Sequence, residues 1–287
     1  MSTNFFNIKV SDIRRETKNT VSIAFDIPAE FKKDFNYVSG QYITLKSTIN
    51  GEEVRRSYSV CSSPLDGELR VAVKKIDGGK FSTFANDVLK VGDELEAMPP
   101  MGKFYTEVAE NQTKNYVAFA AGSGITPVLS IVKTVLEQEP NSNFILVYGN
   151  KTTKDTTFLN EILSLHHDYK ERFDVQFVFS QSQEPEALFG RIEKSTVNFV
   201  MKNTHKHVVV DAFYLCGPEA MIHTVKNVLT EHNIPKENVH YELFKAAKPA
   251  DVNEDEIASG KTKITVIVDD EESTFEMSQK QTILEAA

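Results

Sequence analysis

The sequence predicts a β plus α/β fold class: an antiparallel β-barrel, then a parallel-sheet α/β domain, then a short β-hairpin. Three observations support this prediction. Before about residue 105, short runs of alternating apolar and polar residues recur between turn residues. After Lys114, continuous apolar runs alternate with helical patterns. Beyond Phe244, an acidic stretch with few large apolar groups precedes a last pair of alternating runs.

The barrel is predicted from six short runs, which Asn-Gly, Asp-Gly and Gly-Gly turns and single Pro or Gly residues separate. Strands at this spacing are typical of a small antiparallel barrel. The predicted strands are 6–10, 20–27, 42–46, 57–60, 69–76 and 94–98. One helix interrupts them: Ser82 is its predicted N-cap, apolar residues follow at helical spacing, and Gly92 ends it.

The α/β region is predicted from strands and helices that alternate along the chain. Such alternation indicates a parallel sheet with helices on both faces. The predicted strands are 116–120, 144–148, 175–180 and 212–215, and the predicted helical segments are 127–137, 156–166, 195–203 and 219–231. The boundary with the barrel is expected near residues 106–114.

The end of the chain is predicted to begin a further domain. Residues 263–268 and 273–277 form an expected strand pair, and a helix is expected to start at residue 282. A hairpin with a helix stub is too small to be stable alone. The predicted organisation is therefore a barrel (1–108), an α/β domain (109–245), an acidic linker (246–260) and the start of a truncated domain (261–287).

Composition excludes several classes of function. The net charge of −9 argues against nucleic-acid binding. No run approaches the ~20 apolar residues that span a bilayer, and the N-terminus lacks the pattern of a secretory signal. Two cysteines, Cys61 and Cys216, cannot alone hold an iron–sulfur cluster or a structural zinc, so no metal site is predicted. A protein of the reducing cytoplasm, away from membranes, is expected.

Two segments of the barrel carry candidate chemistry. In Arg56-Ser57-Tyr58-Ser59, a guanidinium suited to phosphate and a ring suited to stacking share one face of a strand. In Gly78-Gly79-Lys80-Phe81-Ser82, a glycine turn leads into a helix N-terminus, where backbone N–H groups, an amine and a hydroxyl favour an anion. Either segment alone is an ordinary strand or turn. Together they predict a site for a planar group that carries phosphate.

Two strand–helix turns of the α/β region carry the second candidate site. Gly122-Ser123-Gly124-Ile125-Thr126-Pro127 follows the first strand, and its glycines allow a pyrophosphate to approach. Pro127 stands where a dinucleotide fingerprint has its third glycine. Cys216-Gly217-Pro218-Glu219-Ala220-Met221 repeats strand, glycine and helix later in the chain, at the strand end where open sheets bind ligands.

The ordered set Arg-x-Tyr-Ser, Gly-x-x-Ser, Gly-x-Gly-x-x-Pro and Cys-Gly-Pro resembles the ferredoxin–NADP reductase superfamily over residues 5–245. The resemblance implies a FAD-binding barrel, a NAD(P)-binding α/β domain and hydride transfer from nicotinamide to flavin. It implies catalytic positions for Tyr58, Ser59, Cys216 and Glu242, with Ser59 near flavin N5 and Cys216 near nicotinamide C4. It implies cofactor contacts for Arg56, Ser57, Tyr58, Ser59, Lys80, Phe81, Ser82, Gly122, Ser123, Gly124, Thr126, Pro127, Asn150, Lys151, Ser180, Cys216, Gly217, Pro218, Met221 and Phe244.

The nucleotide is predicted to be NADPH rather than NADH. NAD-selective folds place a carboxylate at the end of the second strand, whereas here Gly149-Asn150-Lys151-Thr152 follows, with no acid before Asp155. Ser180 matches the Ser-Arg pair of NADPH-using relatives, and Gln181 does not. Whether Arg191 replaces that arginine depends on a turn whose geometry the sequence leaves open.

The tail resembles the start of a plant-type 2Fe–2S ferredoxin domain, as in reductases of multicomponent oxygenases, those of phenylacetyl-CoA epoxidase and ring-hydroxylating enzymes among them. This implies an oxygenase or a ferredoxin-type acceptor as partner, and a 2Fe–2S cluster only in a longer protein. Two alternatives stay open. One is a stand-alone ferredoxin or flavodoxin reductase, which would lack the tail. The other is a non-catalytic flavin-bound protein that serves in electron transfer or interaction.

Overall fold

The computed structural model describes residues 4–204, 207–244, 261–268 and 271–278. The chain divides into two compact units, Met1–Phe244 and Lys245–Ala287. The first unit holds a six-stranded antiparallel sheet and a six-stranded parallel sheet. Within the described residues, none of the helices combines the length and apolar character that a membrane crossing requires.

The antiparallel sheet forms the predicted barrel. Its strands are β1 (Phe6–Thr17), β2 (Thr20–Asp26), β3 (Tyr42–Ile49), β4 (Glu52–Ser59), β5 (Leu69–Lys74) and β6 (Glu94–Ala97). They are ordered β4-β3-β6-β1-β2-β5, and an antiparallel bridge from Val60 to Val71 joins the two edges. Three strands are longer than predicted: those expected at 6–10, 42–46 and 57–60. The first continues because β1 stays paired with β2 beyond the end of the apolar alternation. The other two are longer because β3 and β4 pair with each other along their whole length.

The helix of the barrel, α1 (Lys80–Asp87), begins three residues before the expected position. The prediction of Ser82 as N-cap was wrong: Gly79 occupies that position, and no side chain caps the helix. The Ser82 hydroxyl instead accepts from Ile76 N and donates to Gly79 O, each at 3.3 Å. Sequence spacing could not place the helix start. Ser82 lies within the first turn of the helix, and its hydroxyl bonds back to the turn that precedes the helix.

The parallel sheet contains the four predicted strands and two that the sequence analysis missed. Its elements are β7 (Asn115–Ala121), α2 (Ile125–Gln138), β8 (Asn143–Asn150), α3 (Leu159–Asp168), β9 (Phe173–Phe179), β10 (Leu188–Phe189), α4 (Lys194–Phe199), β11 (Ala212–Gly217), α5 (Glu219–Glu231) and β12 (Val239–Leu243). The strand order is β10-β9-β8-β7-β11-β12. The missed strands are β10, which has two residues, and β12, an edge strand whose residues are all half-buried.

Two helix predictions need correction. The helix expected from residue 156 begins at Leu159, because Phe158 adopts a left-handed backbone with φ of 62°. The helix expected over 195–203 ends at Phe199 and continues as a π-helical turn, Val200–Thr204.

The second unit is described only by its backbone. The strands β13 (Lys261–Val268) and β14 (Glu271–Ser278) pair antiparallel, with Lys261 opposite Ser278 and Val268 opposite Glu271. This is the predicted strand pair, a few residues longer. The predicted linker at 246–260 and the predicted helix start at residue 282 lie outside the described residues.

Candidate functional site

The carboxyl edge of the parallel sheet holds a cleft of about 650 Å³. It opens where the strand order reverses: β8 and β9 lie on one side of β7, and β11 lies on the other. Open α/β sheets bind ligands at such a point. The predicted residues that line the cleft are Gly122, Ser123, Asn150, Lys151, Ser180, Gly217, Pro218, Met221 and Phe244.

The glycine turn after β7 shapes this cleft through its backbone. Gly122 has a φ of +55°, a conformation that favours glycine. A Cβ on Gly124 would lie 2.1 Å from Cys216 O, so only glycine lets the start of α2 approach the end of β11. Thr126 donates from Oγ1 to Ser123 O at 3.0 Å. Gly124, Thr126 and Pro127 are buried behind the turn and support it.

The wall of the cleft near β8 is polar and cationic. Asn150 also lines the cleft, and its Nδ2 is buried beside the Tyr148 hydroxyl. Lys151 and Arg191 are both exposed and line the same cleft.

Two residues that line the cleft, Arg191 and Lys74, could not be assigned to it from the sequence. Arg191 reaches the cleft because Gly190 N donates to Phe179 O at 2.8 Å, which folds the chain after β10 back to the end of β9. Lys74, from the barrel strand β5, completes the wall. The sequence analysis left Arg191 open and missed Lys74, for which no local signal exists.

The barrel segment around β4 presents the second group of predicted residues. Arg56 is exposed, and its Nη1 donates to Arg55 O at 2.6 Å. The ring of Tyr58 lies 5.5 Å from that of Phe81, and burial raises the pKa of the Tyr58 phenol, which therefore stays protonated. Ser57 Oγ lies 2.9 Å from Thr44 Oγ1 in a shared hydrogen bond.

The turn before α1 offers less free side-chain chemistry than its sequence indicates. Lys80 is paired with Glu52 on the surface. The Phe81 side chain is 1% exposed and belongs to the barrel core, so it supports Tyr58 from beneath. Ser82 is buried and bonded to its own turn. At Phe81 and Ser82, the groups best placed to meet a phosphate are backbone N–H groups.

The two groups of residues meet at Ser59. Its hydroxyl donates to Glu242 Oε2 at 3.3 Å, across 183 positions of sequence. Glu242 lies on β12 directly opposite Cys216 of β11. Burial raises the pKa of Glu242 to about 7, against the opposing effect of the Ser59 hydrogen bond. Burial also raises the pKa of the Cys216 thiol, and Glu242 adds to that shift, so Cys216 stays a neutral thiol.

This arrangement offers groups suited to planar, phosphate-bearing ligands on each side of the Ser59–Glu242 hydrogen bond. The guanidinium, the phenol ring and the backbone turn lie on the barrel, and the glycine turns, Asn150 and two cations lie on the α/β side. Phe244, 43% exposed just after β12, borders the cleft. In the part of the chain that the structure describes, His, Cys, Asp and Glu form no group of three or more that could hold a metal ion.

Comparisons with known proteins agree with this division. The model of the oxidoreductase FAD-binding domain matches residues 7–105, and that of the oxidoreductase NAD-binding domain matches residues 119–227. The chain is 35% identical over 288 residues to a component of the 1,2-phenylacetyl-CoA epoxidase of Escherichia coli K12, covering 99% of this chain and 81% of that protein. It is 31% identical over 289 residues to the ferredoxin reductase component of 3-ketosteroid-9-alpha-monooxygenase from Rhodococcus rhodochrous, covering 97% and 78%.

A solved structure supports the fold. The ferredoxin NADP+ reductase from Neisseria gonorrhoeae, with bound FAD and NADP, superposes with a TM-score of 0.70 at 19% identity, covering 84% of this chain and 99% of that one.

Proposed function

The chain belongs to the oxidoreductases that join a FAD-binding domain to a NAD-binding domain, and from this premise we propose that it takes a hydride from NADPH and delivers electrons to an iron–sulfur centre serving an oxygenase. The observation that carries the proposal is the Ser59–Glu242 hydrogen bond. It brings the strand of the predicted flavin site to the strand beside Cys216, where the nucleotide cleft ends.

The residues of this chain fit the two cofactors. FAD, when bound, would supply the hydride acceptor and the capacity to release electrons singly, and this chemistry belongs to the cofactor. We infer that Arg56 and the backbone before α1 hold its phosphates and that Tyr58 packs against its ring system. The glycine turns at Gly122 and Gly217 admit the pyrophosphate of the nucleotide. The protein then supplies orientation and electrostatics.

We propose that Glu242 exchanges a proton beside the reacting rings and that Ser59 hydrogen-bonds to it. A carboxyl group with a pKa of about 7 exchanges its proton readily at neutral pH. The Ser59 hydroxyl donates to this carboxyl and is available to a second partner. Cys216 is fully buried and neutral next to Glu242, so it takes no part in this proton exchange.

The proposed preference for NADPH depends on charge in the nucleotide cleft. Lys151 and Arg191 line it together, and Arg191 supplies the guanidinium that Gln181 lacks. The first carboxylate after β8, Asp155, accepts from Thr152 Oγ1 at 2.7 Å. A 2′-phosphate therefore meets Lys151 and Arg191 in a wall that also carries Lys74, Asp155 and Glu193.

The proposed electron acceptor follows from the relatives, whose names identify reductase components of oxygenases or a component of an epoxidase. We propose a partner oxygenase of the phenylacetyl-CoA epoxidase type, and that residues 261–287 begin a ferredoxin-like domain carrying the 2Fe–2S cluster. The cytoplasm is the proposed location, consistent with two free cysteines. Reading the gene beyond codon 287 tests the domain: four cysteines within a few dozen codons support it, and an immediate stop codon refutes it.

A spectrum tests the enzymatic proposal. The purified protein should be yellow, release FAD on heating, and lose its flavin absorbance when NADPH is added without oxygen. Ser59→Ala should keep the flavin but slow this bleaching, since a contact made near the reacting atoms acts mainly on the rate. A colourless protein, or a flavin that NADPH leaves oxidised, would refute the proposed function.

A further inference from the structure

One face of α2 carries polar side chains, whereas the other side chains of the helix are largely apolar. Its polar residues recur at the spacing that places side chains on one helix face. They are Ser130, Lys133, Thr134 and Glu137. All four contact the same barrel segment, residues 62–66, which starts three positions after Ser59.

Two of these contacts are hydrogen bonds from hydroxyls, and a third is a close approach of two hydroxyls. Ser130 Oγ donates to Ser62 O at 2.6 Å, and Ser63 Oγ donates to Glu137 Oε2 at 2.7 Å. Thr134 Oγ1, which donates to Ser130 O at 2.7 Å, lies 3.4 Å from Ser63 Oγ. Ser62, Ser63, Ser130 and Thr134 are each 2% exposed or less, so their geometry is set by packing rather than by solvent.

The fourth contact is an ion pair. Lys133 binds Asp66 of the barrel segment and, at 2.9 Å, Glu161 of α3. The Lys133 and Asp66 side chains are 14% and 18% exposed. Burial lowers the pKa of Lys133, but the carboxylates of Glu161 and Asp66 raise it by more, so its net pKa is raised and the amine stays charged. The pair with Asp66 crosses to the barrel, whereas the pair with Glu161 stays within the α/β part.

The two ends of this connection are the two halves of the proposed site. The first residue of α2 follows the Gly122–Gly124 turn of the nucleotide cleft. The barrel segment continues from β4, which carries Arg56 and Tyr58, and the Tyr37 hydroxyl holds it through Ser62 Oγ and Ser63 O, both at 2.8 Å. A helix is stiff, so holding its middle fixes the position of its first turn.

We propose that the contacts between α2 and residues 62–66 set the distance between the nicotinamide and the flavin, which makes Ser130, Lys133 and Asp66 positioning residues for hydride transfer. The inference rests on the proposed function, and it assigns a role to residues that touch neither cofactor. Displacing reacting groups by about 1 Å costs on the order of a hundredfold in rate. Loosening one of four contacts should cost less.

Asp66→Asn and Glu161→Gln are a matched pair for the test. Each neutralises one carboxylate beside Lys133, and asparagine can still accept the hydrogen bond from Ser63 N. In anaerobic stopped-flow experiments on the FAD-loaded protein at saturating NADPH, Asp66→Asn should slow flavin reduction about tenfold. Glu161→Gln should stay within about twofold of wild type, and Lys133→Arg, which keeps the charge, should retain most of the rate.

Two further readouts separate positioning from damage. Asp66→Asn should keep its FAD content and its half-saturating NADPH concentration, and its photoreduced flavin should be reoxidised by ferricyanide at the wild-type rate, since that step uses no nucleotide. If Asp66→Asn loses its flavin, Ser130→Ala replaces it in the test and should show the same slowing of flavin reduction. Equal effects of Asp66→Asn and Glu161→Gln, or none from Asp66→Asn and Ser130→Ala, would overturn the positioning role. A wild-type flavin that NADPH fails to reduce would instead refute the proposed function, and the positioning role with it.

Discussion

The nucleotide cleft and the flavin-binding face of the barrel differ in the atoms that form them: mainly backbone in the cleft and side chains on the barrel. The cleft is shaped by backbone: a glycine turn at positive φ, and a second glycine whose Cα lies against Cys216 O. On the barrel, two of the predicted phosphate ligands are side chains already engaged with the protein: Arg56 with a carbonyl and Lys80 with Glu52. The cleft is therefore preformed, whereas the barrel face must exchange internal contacts for ligand contacts.

This difference indicates where substitutions act. A backbone-built site shares its atoms with the core, so changing it should damage the fold. A site built from surface side chains is separable from the core, so changing it should weaken binding and leave the fold intact. The following predictions test this contrast, from the largest expected effect to the smallest.

Gly124→Ala should be the most damaging single change. Its Cβ would meet Cys216 O at 2.1 Å, and backbone on both sides must move to relieve the contact. We expect a loss of about 3 kcal/mol in the free energy of unfolding, measured by urea denaturation. Gly67→Ala is the control, since it has a φ of +71° but no atom within 4 Å. It should lose about 1 kcal/mol, from backbone strain alone; equal losses would mean that close approach does not explain Gly124.

Arg56→Ala should weaken FAD binding without weakening the fold. A hydrogen bond to a charged group contributes ~1.5–3 kcal/mol, so FAD affinity should fall about ten- to a hundredfold. The control is Arg55→Ala, because Arg55 pairs with Glu53 on the surface. Titration of the apoprotein with FAD measures both. A similar loss in the two variants would indicate a general charge effect rather than a phosphate contact.

Lys151→Ala and Arg191→Ala should each lower kcat/KM for NADPH about tenfold, since each removes one charged contact to a 2′-phosphate. The value for NADH should change little. Lys154→Ala is the control, because Lys154 is exposed on the same loop but outside the cleft. Steady-state kinetics with both nucleotides decide the assignment. A parallel loss for NADH would show that the cations bind a part common to both nucleotides.

The last prediction concerns Glu242, where the two regions meet, and its effect is expected in the pH dependence of stability. Its pKa is raised from 4.5 to about 7, so the folded protein holds this proton more tightly than the unfolded chain. Its contribution to stability is therefore greatest at low pH and declines as pH rises from about 4.5 to about 7. Glu242→Gln should flatten that part of the pH profile of the unfolding free energy. An unchanged slope between wild type and variant would contradict the raised pKa.

Many of the residues that line the cleft could be located from the sequence because their signals are local. The Gly122-Ser123-Gly124 and Cys216-Gly217-Pro218 turns stand at strand ends that apolar runs reveal. Ser82 was misplaced as an N-cap and β12 was missed, for opposite reasons. The Ser82 hydroxyl closes a turn within six residues, which spacing alone cannot distinguish from capping. The half-buried residues of β12 acquire their pairing from β11.

The sequence by itself determined most of the elements and the order of the four motifs, because periodicity and turn chemistry act over a few residues. Only the tertiary structure decided which groups share a site. Arg191 and Lys74 join the nucleotide cleft, Ser59 meets Glu242, and α2 is fastened to residues 62–66. These contacts join distant positions, which no local pattern encodes, since packing of the two sheets around α2 brings them together.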